Sequence, residues 1–125
     1  MGGNLAKILY QCIEGAMVRK RIELNSGRCF ETIAEARKFF DQILQSTVLN
    51  SDVSDDEFRE LSALYEAYCA KTNWQVSSPP VAFFPKHESG PGYTTKCFGV
   101  RFQDGATDRF SLDKALSAVA IGATP

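Results

Sequence analysis

Tyr93-Thr-Thr-Lys-Cys-Phe-Gly-Val-Arg-Phe102 is followed at once by Gln103-Asp-Gly-Ala106, Thr107-Asp-Arg-Phe-Ser111 and Leu112-Asp-Lys-Ala-Leu116. The order predicts a strand, a tight turn, a short return strand, a cap and a helix. Strand alternation puts Lys96, Phe98, Val100 and Phe102 on one face and Thr95, Cys97, Gly99 and Arg101 on the other. Asp104-Gly105 predicts a type I′ hairpin, whose two central residues both need positive φ. Ser111 then offers its hydroxyl to the unpaired amides of a closing helix, with Leu112, Ala115, Leu116 and Val119 on its apolar side.

Toward the N-terminus, Val81-Ala-Phe-Phe84 reads as a short apolar strand ended by Pro85, and Pro79-Pro80 forces extended chain before it. Lys86–Gly92 reads as a mobile loop holding the single histidine, His87. Two capping boxes open helices: Ser54-Asp-Asp-Glu57 before residues 55–70 and Thr32-Ile-Ala-Glu35 before residues 33–45. Ile22 and Leu24 alternate with charge, which predicts a strand over 19–24. Leu5, Ile8, Leu9, Cys12, Ile13 and Met17 recur at helical spacing. The chain therefore divides into an amphipathic N-terminal extension (1–18), one α+β domain (19–120) and a flexible tail (121–125). The expected architecture is a small antiparallel sheet of about four strands, from 19–24, 81–84, 95–102 and 107–110. Three helices pack mainly on one face of it.

The 125 residues suffice for one core, and 44% hydrophobic with 23% charged residues excludes a disordered chain. A net charge of −1 gives no global pull toward nucleic acid, so any such binding must come from a local patch. Cys12, Cys29, Cys69 and Cys97 contain no close pair, which argues against zinc and for reduced, mostly buried thiols. No run approaches the roughly 20 apolar residues of a membrane span, and no leader is read, so a cytoplasmic setting is expected.

Catalytic signatures are absent. The sequence holds no phosphate-cradling glycine loop and no H-E-x-x-H. Asp55, Asp56, Glu57 and Glu60 fit a helix start better than a metal site. Cys97 with His87 is the one conceivable nucleophile–base pair, and alternation turns Cys97 away from the apolar stripe. No cofactor is expected. Binding is better supported: Arg19, Lys20, Arg21, Arg28, Lys86, Lys96, Arg101 and Arg109, interleaved with aromatics, are the candidate nucleic-acid-binding residues. Solvated strand surfaces would use the same residue types.

Residues 22–116 resemble the DCL (defective chloroplasts and leaves) family, found in plastid proteins, a plant-specific RNA polymerase subunit and bacterial proteins. Three pieces carry the likeness, in order: Phe30-Glu-Thr-Ile-Ala-Glu-Ala-Arg-Lys-Phe-Phe40; Asp55-Asp-Glu-Phe58 with Leu61 and Leu64; and Thr95–Arg101 with Asp104-Gly105, Asp108-Arg-Phe-Ser111 and Lys114. Lys96 and the inserted Arg109 depart from the family pattern, and Gln75–Pro80 replaces its Lys-Ile-Gly segment. A bacterial or phage-type member is the better match. The resemblance implies an α+β domain associated with RNA, through ribosomal RNA processing or RNA polymerase function, and brings no catalytic residues. The alternative is a protein-interaction domain or self-association, using residues 4–17 and a sheet edge.

Overall fold

A computed structural model describes residues 21–76 and 78–121. In chain order they form β1 (Ile22–Glu23), β2 (Cys29–Phe30), α1 (Ile33–Ser46), α2 (Asp55–Thr72), β3 (Pro80–Gly90), β4 (Tyr93–Phe102), β5 (Thr107–Phe110) and α3 (Leu112–Val119). The fold is α+β. The helix expected within residues 4–17 lies outside the described residues.

Alternation on β4 sets the core. Phe98, Val100 and Phe102 are buried in one cluster with Phe40 and Ile43 of α1, Leu61, Leu64 and Tyr65 of α2, and Leu112, Leu116 and Val119 of α3. Phe98 stacks on Phe110 of β5, with ring centroids 5.8 Å apart and planes at 19°. Phe110 meets Phe83 of β3 edge-on at 6.1 Å. Burying a ring of this kind contributes roughly 1.5–3 kcal/mol, so these rings bind sheet and helices into one unit.

The four-stranded sheet is corrected to a three-stranded sheet, β3-β4-β5, and a separate two-stranded ribbon, β1-β2. Residues 22–23 cannot join the larger sheet through the free edge of β3, because the α1–α2 connection occupies it. The Asn50 N–H donates to the Pro85 carbonyl at 2.8 Å, and the Val53 N–H donates to the Phe83 carbonyl at 2.9 Å. The ribbon instead lays Ile22, Leu24 and Phe30 into the common core. A single bridge pairs Arg21 with Ile121 beyond α3.

β3 is also longer than expected. It runs through Pro85 to Gly90, so Lys86–Gly90 is strand rather than loop. Pro85 is tolerated because its carbonyl faces the Asn50 side, away from β4. On that side a missing N–H removes no ladder bond. Pro91-Gly92 then turns the chain, with Gly92 at φ +79° and Gly90 opposite Tyr93. At the second hairpin only Gly105 has positive φ, +92°, so the turn is not type I′. Asp104 accepts from the Ala106 N–H at 3.0 Å and stays at negative φ. The Gly105 N–H donates to Phe102 and the Phe102 N–H to Ala106, which makes a three-residue loop with a glycine bulge.

The caps follow the sequence with one change. The Ser54–Glu57 box is closed from both sides. Thr32 accepts from the Glu35 N–H, but the Glu35 carboxylate accepts from Glu31 rather than from Thr32. Ser111 accepts from the Lys114 N–H.

Candidate functional site

The eight candidate cations do not share one surface. Arg19 and Lys20 lie outside the described residues. Arg21 pairs with Glu23 beside it on β1. Arg28, in the β1–β2 hairpin, sits 3.4 Å from Glu60 of α2 and places its guanidinium carbon 4.3 Å from the Phe39 ring centroid. Ser26 donates to the same Glu60 carboxylate at 2.6 Å. That charge is spent fastening the hairpin to the helices. Lys96 has the core-facing parity of β4 but lies past the apolar stripe, where its amine donates to Gln45 of α1 at 3.4 Å.

Lys86, Arg101 and Arg109 are the three that meet. Register opposes Ala82 to Arg101, Phe84 to Gly99 and Lys86 to Cys97 across β3 and β4, and Gly99 to Arg109 and Arg101 to Thr107 across β4 and β5. Period-two alternation puts all of these on the sheet face opposite the helices. Ala82 and Cys97 are buried, yet neither belongs to the core cluster beneath the sheet.

Phe84 occupies the middle of this outer face. Its ring lies over Gly99 so closely that a Cβ there would be 2.4 Å from Cε2 and 2.6 Å from Cζ. Glycine at 99 is what lets the ring settle on the backbone. Ion pairs flank it. Arg101 forks onto Asp52, Nη2 to Oδ2 at 2.8 Å and Nη1 to Oδ1 at 3.3 Å, and this pairing pushes the guanidinium pKa further up. Arg109 Nε lies 2.9 Å from Glu88 Oε2. Lys86 has no acidic partner among the described residues. Three cations against two carboxylates leave the face at +1.

No protein-family model, curated protein or solved structure matches the chain.

The one conceivable nucleophile–base pair is not assembled. His87 pairs in register with Lys96 while Cys97 pairs with Lys86, so the two side chains lie on opposite sheet faces. The Cys97 thiol is pushed up by burial first, then by the charge and hydrogen bond of Glu88, against smaller pulls from Lys86 and Arg109. A thiol held protonated is a poor nucleophile. Cys29, Cys69 and Cys97 are free, and Cys29, against expectation, is exposed. No group of three or more His, Cys, Asp or Glu among the described residues could hold a metal ion. Among those residues no helix is long and apolar enough to cross a membrane. A groove of about 320 Å³ at the end of α2 is lined by Tyr65, Cys69, Val76, Pro79 and Pro80. There burial, then Cys69, pushes the Tyr65 hydroxyl up, away from use as an acid near neutrality.

The sequence reading found the three cations but missed the ring they surround. Phe83 and Phe84 are adjacent in a strand, so only one can enter the core. Gly99, at outward parity on the partner strand, was the available sign that the other needed space.

Proposed function

We propose that this chain is a non-catalytic, RNA-associated module of the DCL type, bacterial or phage-like, acting in the cytoplasm through the outer face of β3-β4-β5. One observation carries the reading: Lys86, Arg101 and Arg109 converge around Phe84 on a sheet face turned away from the helical core. Cations for phosphate and a ring for an unpaired base are the two parts that single-strand binding needs. The test is binding of a labelled oligonucleotide at several salt concentrations. Affinity is expected to fall as salt rises, and to be lost when Lys86, Arg101 and Arg109 are all replaced by Ala, but not when Arg21 is. A salt slope near zero removes the reading.

A protein-interaction role draws support from exposed Trp74, Val76 and Val81. Strand addition has less to use. The edge of β3 is taken by Asn50 and Val53, and the Arg109 N–H of β5 is taken by the Asp108 carboxylate at 2.8 Å. Concentration-dependent sedimentation that disappears on removing residues 1–16 would favour this second role.

A further inference from the structure

We infer that the outer face takes single-stranded RNA by carboxylate-for-phosphate exchange: one base stacks on Phe84 while phosphates displace Asp52 from Arg101 and Glu88 from Arg109. This rests on the nucleic-acid reading above.

The geometry supplies each part. Phe84, Gly99 and Arg109 form one row across the sheet, and Arg101 lies two residues from Gly99 on the same face. Arg101 is a diagonal neighbour of Phe84, about 7–8 Å away backbone to backbone, and Arg109 reaches back across β4 to Glu88 on the strand that carries the ring. A duplex hides its base faces, which leaves Phe84 without a stacking partner; a single strand exposes them. The Asp52 carboxylate already holds Arg101 in the two-pronged arrangement that a phosphate would take. Both pairs lie at the surface, with side-chain exposures of 43% and 50% for Arg101–Asp52 and 52% and 39% for Arg109–Glu88. Exposed pairs are weak enough to exchange partners. Until a ligand arrives the carboxylates cancel two of three positive charges, so Asp52 and Glu88 hold the arginines in place and restrain loose binding of other polyanions. Thr95 and Thr107 share the face through their register with Glu88 and Arg101. Their hydroxyls suit a 2′-OH, which favours RNA over DNA.

The test uses the full chain and a labelled uridine 12-mer, with the thymidine 12-mer and an RNA duplex as competitors. Exchange puts all three cations on phosphate, so the unmodified protein should show a salt slope of about −2, against about −0.7 if Lys86 alone made contact. Asp52→Asn with Glu88→Gln removes the competing carboxylates, so the slope should stay near about −2 while binding tightens at least tenfold at low salt. Phe84→Ala should weaken binding by about five- to 150-fold with the slope unchanged. Phe84→Leu, which keeps apolar volume, and Gly99→Ala, which drives the ring off its seat, should act in the same direction, with unfolding midpoints showing each variant folded. If the unmodified protein shows a slope of only about −0.7, if the carboxylate variants bind no more tightly, or if Phe84→Leu binds as well as the parent, the inference falls. The nucleic-acid reading then survives so long as the triple Ala variant still loses binding. Equal competition by duplex refutes the single-strand assignment, and equal competition by the DNA 12-mer refutes the RNA assignment. No binding by the unmodified protein or by any variant removes both readings.

Discussion

Replacing Phe98 by Ala tests the register on which every placement above depends. The ring is fully buried, lies opposite Pro85 on one side and Phe110 on the other, and stacks on Phe110 at 5.8 Å. Truncating a buried Phe to Ala costs about 3–5 kcal/mol, the spread depending on how far the site collapses. Collapse is hindered here, because residue 98 is on the central strand, whose spacing from both neighbours is fixed by hydrogen bonds. We therefore expect about 4 kcal/mol, a large share of the 5–15 kcal/mol that holds a domain together. With a urea m-value of about 1.5–2 kcal/mol/M, the unfolding midpoint should drop by roughly 2 M or more. Phe84→Ala is the internal control. That ring lies outside the core cluster and is partly exposed, so its removal should cost no more than about 1.5 kcal/mol. A Phe98→Ala midpoint shift below about 0.5 M, or equal losses for the two variants, would refute the assignment of inner and outer faces, since a slip of one residue exchanges them.

Ser54→Ala opens the capping box of α2 and should cost about 1 kcal/mol in urea unfolding. A double-mutant cycle on Arg101 and Asp52 should return a stability coupling below about 1 kcal/mol despite the forked geometry, because both partners are exposed. Of the three described thiols, labelling under native conditions should modify exposed Cys29 before buried Cys69 and Cys97, which it should reach only through opening of the structure. Stability should fall as pH rises above about 9. There an unfolded thiol loses its proton while burial keeps Cys97 and Cys69 protonated in the folded state, so the unfolded state binds fewer protons. That loss is absent below the unfolded value, and urea midpoints between pH 7 and pH 10 should show it. Cys97→Ala should soften it without abolishing it, because Cys69 and Tyr65 shift the same way.

Local signals read well from the sequence because local physics decides them. Ser54, Thr32 and Ser111 each start a helix where their hydroxyls meet free amides, and Phe98, Val100 and Phe102 face the core by parity alone. The misreadings arose where a distant partner changed a local rule. Pro85 reads as a strand terminator until the Asn50 N–H shows that its carbonyl looks away from the ladder. Residues 22–23 read as a sheet strand until the α1–α2 connection is found on the edge they would need. The cations were legible as residue types but not as a site. Arg28 is bound to Glu60, 32 positions along the chain, and Arg101 to Asp52 across 49 positions, pairings that no periodicity encodes.

The connection fastened along β3 has a consequence for aggregation. A sheet that grows into fibres does so by offering open backbone to the next molecule. Here the Val53 and Asn50 amides would first have to be peeled from Phe83 and Pro85. A glycine-rich insertion between residues 48 and 52, harmless in most surface loops, should turn this chain toward fibrils well before it lowers the melting temperature.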